Sequence, residues 1–591
     1  MRIELRLAEA MEYPSILTYL EEAYEYLKLE PAALQKSWEQ WRQQAAIEFY
    51  WACQDDDKSG LLVFDRDNST VMEIWVIPSH QGQGLEVEIL DELLIKENLI
   101  SCQVWEEDRK RYNLMVDYGF RPTRRSWHGE WQVVKMDLST AVLLEKIKNL
   151  NIAREYRDVE TVAIESVADL LQYDEIKNSL AILIEKLGGL ERYVKPGQTV
   201  VIKPNLVSDH GLKKDGTVVG GVVTDIKVVK AMVELLLPLA GRVIIAEGSS
   251  INRSATTRMF AHYGYDEVVA LDPERVRLVD LNTDQLIEKT VPGGKRMHSR
   301  RIPVTLDIAD VIISMPVMKI HFAAIVSLSI KNLQGAVPPL EKYMSHFFGL
   351  WQNLVNINHL VKPDLIIIDG TTAQEDFGPI SGIPKPMNLL IGGTNPVAVD
   401  AVAMRIMGFD PTESPPVLLA HLQGFGPIAS QNINVLGPDP ATLRDAFKRP
   451  QIDLASGQDV LVHSGKACPG CKGYLHFALS KLRKPDPLFP ERLIIDRPFE
   501  QKVNIYLGPG LEQDIDPQQN NIFVGLCQQH HAGLGVHLPG CPPHSEVLID
   551  GIFRLFPDVP KAKYADKSEE ATLGEMLDKI LAGLNQEASQ Q

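Results

Sequence analysis

No stretch of this chain approaches the roughly 20 consecutive apolar residues that a membrane-spanning helix requires, so no membrane partner is expected. A surplus of positive charge is missing too. Against 78 acidic residues stand 60 basic ones, a formal net charge of −18. That balance excludes a general electrostatic footprint for nucleic acid or an anionic lipid surface. The opening segment, MRIELRLAEAMEYPS, lacks the apolar core of a secretory signal. Cysteine is scarce, with six in 591 residues. Scarce cysteine without an export signal points to a reducing, cytoplasmic location. What remains is 45% hydrophobic and 23% charged, the balance of a globular chain that can build full cores. At about 150 residues per domain, the length calls for three or four domains.

The few cysteines are unevenly placed. Cys53 and Cys102 lie far upstream, whereas Cys468-Pro469-Gly470-Cys471, Cys527 and Gly540-Cys541-Pro542-Pro543 fall close together. A Cys-x-x-Cys pair puts two thiolates on one tight turn. Two more from distant loops complete a four-thiolate shell, as tetrahedral zinc or a 4Fe–4S cluster needs. The gathering of four argues against simple buried apolar residues, and the missing secretory signal argues against a disulfide. Zinc stays open, because His530, His531, His537 and His544 surround the last two cysteines. The pattern resembles the cluster-ligand set in small subunits of nickel–iron hydrogenases, where a CxxC, a lone cysteine and a GCPP cysteine hold one 4Fe–4S cluster. The gaps between ligands are shorter here, so the resemblance covers the ligands and not the domain. It implies Cys468, Cys471, Cys527 and Cys541 as metal ligands, to a 4Fe–4S cluster or alternatively to zinc. Residues 453–562, rich in Pro, Gly, Cys and His, are expected to form a small loop-rich metal module ordered by its metal. A helical and polar tail, 563–591, follows it.

Residues 1–137 alternate short strand-like and helical segments. The strand candidate Val71–Val76 runs into Pro78-Ser79-His80-Gln81-Gly82-Gln83-Gly84 and then a helical pattern, Leu85–Ile95. Strand, Gly-rich turn and helix N-terminus together make a phosphate cradle, because free backbone N–H groups and the helix dipole face one anion. The segment resembles the acetyl-CoA pyrophosphate loop of GNAT-type N-acetyltransferases. Tyr112 to Gly119-Phe120 resembles that family's later helix-to-strand element. The resemblance implies an α+β domain binding acetyl-CoA or another acyl-CoA, with Val76, Gln81, Gly82 and Gly84 at the cofactor. Glu86 departs from the family pattern, which has Gly or Ala at that position, and a carboxylate there repels pyrophosphate.

After a charged helical connector at 138–158, residues 159–452 show long β–α alternation. Continuous apolar strands separated by helices imply a parallel sheet covered on both faces. The strand candidates are Thr199–Lys203, Arg242–Glu247, Val276–Asp280, Asp310–Met315, Leu365–Asp369 and Asn388–Gly392. Carboxyl ends of parallel strands line the ligand crevice, which draws Lys203, Asn205, Glu247, Lys319, His321 and Asp369 towards one site. Lys331, Asn332 and Glu375 follow on loops. Asp400 sits in an apolar helix, Pro396–Met407, capped by Thr394 or Asn395. It is either a partner for a pocket lysine or an acid of raised pKa. His321, Lys319 and Asp400 are the candidate catalytic groups. Lys203, Asn205, Glu247, Lys331, Asn332, Asp369 and Glu375 are the candidate substrate contacts.

The stretches Val201-Ile202-Lys203-Pro204-Asn205, Lys319-Ile320-His321, Lys331-Asn332, His346, Asp369-Gly370 and Asn395-Pro396-Val397-Ala398-Val399-Asp400 resemble, in order, the motifs of the domain-of-unknown-function 362 family over 161–430. The resemblance implies an association with iron–sulfur clusters, although the ferredoxin-like cysteine run of many members is absent. Taken together, the expectation is an α/β protein of redox type. A lysine-lined crevice binds an anionic small molecule, a C-terminal cluster exchanges electrons with it, and an electron-transfer protein is the partner. The alternatives are an N-acyltransferase with a zinc-stabilised recognition region and a non-enzymatic carrier of clusters or metal.

Overall fold

A computed structural model describes residues 3–559 apart from 28–30, 56, 82, 97–100, 129–130, 209–210, 212, 214–216, 250–254, 292–295, 298 and 512–514. The expected tail helix at 571–584 and Gly82 lie outside the described residues. Three sheets correspond to the three regions of the sequence, and a two-stranded ribbon stands beside them.

The N-terminal sheet has seven strands, in the order Glu4–Leu7, Ile47–Gln54, Asp57–Asp65, Thr70–Val76, Ser101–Trp105, Trp131–Leu138 and Phe120–His128. One neighbouring pair is parallel: Thr70–Val76 meets Ser101–Trp105 only at Thr70–Ser101 and Val71–Cys102, then diverges. Gly119 ends the helix Arg109–Tyr118 at φ 121°, and a Cβ there would meet Val142 Cγ1 at 2.5 Å. Glycine is therefore required both by conformation and by packing.

The central sheet runs Val276–Asp280, Arg242–Glu247, Thr199–Pro204, Val311–Met315, Leu365–Glu375, Ile383–Gly393, Glu160–Ser166 and Ile433–Leu436. It is not wholly parallel, as expected from the sequence. Ile383–Gly393 runs against both of its neighbours. A short connection after Leu365–Glu375 returns the chain directly as an antiparallel partner, whereas a parallel return needs a crossover of a dozen residues or more. The expected helix in 396–407 is Pro396–Ile406, and Tyr173–Lys186 and Ile226–Leu236 are among the helices between the strands. Asn395 Oδ1 accepts from the Val397 and Ala398 amides at 3.0 and 3.1 Å, which assigns the N-cap to Asn395.

The C-terminal region corrects its expectation most. The described residues of 453–559 are not a loop-rich module. Val460–Ser464, Val503–Leu507, Asn520–Val524 and Val536–Leu538 form a four-stranded parallel sheet. Leu475, Leu479, Ile505, Leu507, Val524, Leu548 and Ile552 provide its fully buried apolar core. Proline and glycine density misled the reading because it marks the connections and not the strands. The stretch 138–158 holds the expected helix, which also packs into the core. Its helix, Thr140–Asn149, buries Thr140, Ala141, Leu143 and Ile147. A single buried apolar cluster includes residues from all three regions, among them Met136, Trp351 and Leu475.

Candidate functional site

Lysine and glutamate converge where the central strands end. Lys203 and Lys319 are 0% and 1% exposed. The Lys203 ammonium pairs with the Glu247 carboxylate and donates to the Pro204 carbonyl at 2.9 Å. Lys319 Nζ donates to Asn205 Oδ1 and to the Val222 carbonyl, both at 2.6 Å. Asn332 joins the strands together, its Nδ2 donating to Ser314 Oγ at 3.0 Å and to the Lys203 carbonyl at 3.2 Å. Gly335 closes the floor: a Cβ there would lie 2.1 Å from Glu247 Oε1 and 2.9 Å from Lys203 Nζ.

Positive charge exceeds negative charge in this crevice. Among the described residues Lys331 has no hydrogen-bonding or ion-pair partner, and burial pushes its pKa down to about 8. Burial, with the charges of Lys331 and Lys203, pushes Lys319 well below the usual lysine range. Lys342, which sequence reasoning missed, donates to the Gly248 carbonyl at 2.5 Å and to Asn282 Oδ1 at 2.8 Å. It lies on the helix Pro339–Phe348, and no strand-end signal pointed to it.

The remaining candidates separate. His321 Nδ1 accepts from the Ala323 and Ala324 amides at 3.1 and 3.3 Å. Burial and the neighbouring lysines hold its pKa well below the usual histidine range. The ring is thus neutral with Nε2 carrying the proton, a hydrogen-bond donor in place of the expected proton carrier. Asp400 is not a lysine partner. Its carboxylate accepts from the Ser329 amide at 2.8 Å, the Ser329 hydroxyl and the Ile330 amide at 3.1 Å, and so seats the short helix Ser329–Asn332 that carries Lys331. Asp369 is engaged by the Asp225 amide at 2.7 Å and by Thr371. Glu375 lies apart, accepting from the Lys448 amide at 2.9 Å. These three carboxylates hold backbone in place and do not face the lysines.

The buried groups set a pH dependence. Burial lowers Lys342 from 10.5 to about 7, so the unfolded chain binds more protons between those values and stability rises with pH there. Burial raises Asp400 from 3.8 to about 7, so stability falls as pH rises across that window. Denaturation followed from pH 4 to 10 is expected to show both limbs. Lys342→Met is expected to flatten the alkaline one, and an unchanged alkaline limb in that variant would refute the assignment.

The cysteines sit at a second convergence. Cys468, Cys527 and Cys541 each follow the carboxyl end of a strand of the C-terminal parallel sheet, the edge where such sheets bind ligands. All four are free and buried. Cys468 caps the helix Pro469–Ser480. The Cys471 thiol and the backbone N–H groups of Gly470 and Cys471 draw its pKa down to about 7. Cys471 lies within electrostatic reach of Cys468, Cys527 and Cys541. Burial pushes Cys527 up to about 12 and also raises Cys541. Among the described residues no three Cys, His, Asp or Glu side chains form a ready-made shell for a single ion. A bound metal group would instead have to fit the four thiols and their surroundings.

Two observations bear on that fit. The Trp351 indole nitrogen is buried without a partner, and the same ring edge, at Cζ2, lies 2.9 Å from where a Gly470 Cβ would stand. A Gly525 Cβ would stand 3.3 Å from Cys471 Sγ. The orphaned donor beside the Cys-x-x-Cys turn suits an acceptor group there, and glycine at 470 and 525 keeps side chains from crowding the thiols. Three of the four surrounding histidines have partners other than the thiols, while His530 hydrogen-bonds the Cys527 backbone. His537 meets the Gly525 carbonyl at 3.1 Å, His531 meets Gln528 Oε1 at 2.9 Å, and His544 accepts from the Glu546 amide at 3.3 Å.

The two convergences adjoin. His346 Nδ1 lies 3.1 Å from the Pro542 carbonyl, and its backbone carbonyl accepts from the Cys541 amide at 2.8 Å. Its ring meets Tyr474 edge-on at 5.4 Å. Tyr474 meets Phe322 at 5.3 Å, and Phe322 stacks on His321 at 4.9 Å. A run of packed rings thus joins His321, beside Lys319 and Lys331, to His346 beside the cysteine-bearing loop.

In the N-terminal domain, Val76, Gln81 and Gly84 line a groove of 380 Å³ together with Lys110, Arg111 and Asn113. Gln81 Nε2 donates to the Val76 carbonyl at 3.0 Å. Glu86 also lines the groove. With Glu88 it puts two carboxylates in the first turn of the helix Leu85–Lys96, where they answer the dipole that would otherwise favour a bound anion.

Among solved structures, an acetyltransferase from Thermus thermophilus matches 23% of this chain and 96% of its own, at 12% identity and a TM-score of 0.20. The PaiA N-acetyltransferase of Thermoplasma acidophilum, solved in complex with coenzyme A, matches 23% of this chain and 99% of its own, at 11% identity and a TM-score of 0.19. A thylakoid-associated protein of Synechocystis is 28% identical over 283 residues, 46% of this chain and 83% of that protein. Among the described residues no helix is long and apolar enough to cross a membrane. The lysine crevice itself falls within residues 200–405, which match the family described as domain of unknown function DUF362.

Proposed function

We propose that this is an iron–sulfur protein in which Cys468, Cys471, Cys527 and Cys541 hold one 4Fe–4S cluster. The neighbouring lysine crevice binds an anionic small molecule. The observation that carries the reading is the convergence of four buried free thiols beside His346, whose aromatic contacts lead to His321. A bound cluster supplies one-electron chemistry, with a one-electron carrier protein as the external partner. The chain's own residues select and hold the bound molecule. Lys331 and Lys319 offer charge to a carboxylate or phosphate, and His321 offers its Nε2 proton as a hydrogen-bond donor. Asp400 and Asn332 keep the Ser329–Asn332 turn in register with Lys203.

Full-length protein purified without oxygen is expected to contain iron and acid-labile sulfide at about four each per chain. On reduction it is expected to give an electron paramagnetic resonance signal. Stoichiometric zinc with neither iron nor sulfide would sink the proposal.

A further inference from the structure

The cysteine-bearing loops are not enclosed by their own domain alone. The helix Thr140–Asn149 of the N-terminal part points its N-terminus at them. Thr140 Oγ1 lies 3.2 Å from Cys541 Sγ, a contact between residues 401 positions apart. The Thr140 backbone N–H reaches the same sulfur. Ser139, the N-cap, accepts from the Val142 amide at 3.4 Å, which leaves its hydroxyl hydrogen for Cys527. Arg121, buried, donates through Nε to the Cys527 carbonyl at 3.1 Å and through Nη1 to the Val116 and Phe120 carbonyls at 2.7 Å.

We propose that the N-terminal domain completes the cysteine site, with Ser139, Thr140 and Arg121 as positioning residues that stabilise negative charge on the Cys527 and Cys541 sulfurs. This rests on the reading of the four cysteines as cluster ligands. Two features distinguish the arrangement from ordinary domain packing. Every contributed group can donate a hydrogen bond to sulfur or brings positive charge: two hydroxyls, one amide and one guanidinium. The arrangement is also two-sided. Cys468 is met by the N-terminus of the helix Pro469–Ser480 in its own domain, while Cys541 is met by a helix N-terminus from another. Two helix dipoles thus end on one set of thiols, which suits an anionic centre. Arg296 adds charge near Cys541 and is tied to the same junction through the Leu138 carbonyl at 2.6 Å.

Hydrogen bonds to ligand sulfur favour the more negatively charged, reduced state of a cluster. Their loss is therefore expected to lower the midpoint potential. The test compares full-length wild type with Ser139→Ala/Thr140→Val and with Thr140→Ser. It measures iron, sulfide and the potential by redox titration followed by electron paramagnetic resonance. The double variant is expected to keep its iron and to titrate at a more negative potential, while Thr140→Ser titrates with the wild type. A loaded double variant with the wild-type potential overturns the proposal. So does loss of iron from both the double variant and Thr140→Ser, since packing and not hydrogen bonding would then be responsible. Wild-type protein without iron and sulfide overturns the underlying cluster reading, and this proposal with it.

Discussion

Alanine in place of Cys541 is expected to leave the full-length protein without bound iron or sulfide and without thiolate-to-iron charge-transfer absorbance. The side chain alone is removed. The Cys541 backbone still donates to the His346 carbonyl at 2.8 Å and accepts from the Leu350 amide at 2.9 Å, so the loop keeps its anchorage. What disappears is one thiol of four and the partner of the Thr140 hydroxyl. Leaving that buried hydroxyl unsatisfied costs about 1–3 kcal/mol, too little to unfold a domain with its own apolar core. Loss of iron with the fold retained would therefore report a missing ligand. Colorimetric iron and sulfide assays beside a circular dichroism spectrum make the distinction. Wild-type iron content in the variant would remove Cys541 from the ligand set.

The second large effect is expected at Gly335, where alanine should destabilise the central domain by about 3–5 kcal/mol, the cost of breaking a buried ion pair. A methyl group 2.1 Å from Glu247 Oε1 cannot be accommodated without moving the carboxylate off Lys203. Neither partner has room to relax, since both are buried and the strands carrying them are neighbours in the sheet. Glu247→Gln is expected to lose a similar amount, because it leaves the Lys203 ammonium buried beside a neutral amide. The urea midpoint gives the measurement. A Gly335→Ala midpoint equal to the wild type would mean that the pair does not hold this site together. The same variant bears on function, since the pair forms the floor of the lysine crevice.

Much of this arrangement was legible in the sequence. Lys203, Asn205, Glu247 and Lys319 could be grouped because strand periodicity is local and parallel strands deliver their ends to one edge. The four cysteines could be grouped because few residue patterns other than a thiolate shell explain them. Asp400 could be read only as one of two things, a lysine partner or an acid of raised pKa. Burial makes it the second, and its partner Ser329, 71 positions away, was not legible. Lys342 and His346 carry no strand-end signal, and their roles depend on where the helix Pro339–Phe348 docks. The C-terminal sheet was missed because its strands are short and separated by proline- and glycine-rich connections.

From residue chemistry alone come the four-thiol set, the lysine-rich crevice and the Glu86 carboxylate that opposes an anion in the N-terminal groove. Each depends on residue identity and short-range spacing, which a linear chain displays directly. Tertiary structure alone decided that the crevice and the cysteines share His346 as a neighbour. It alone brought Ser139 and Thr140 to the sulfurs of Cys527 and Cys541. Those contacts join segments hundreds of positions apart. They exist only because residues of all three regions share one buried apolar cluster, and no local pattern encodes which surfaces meet.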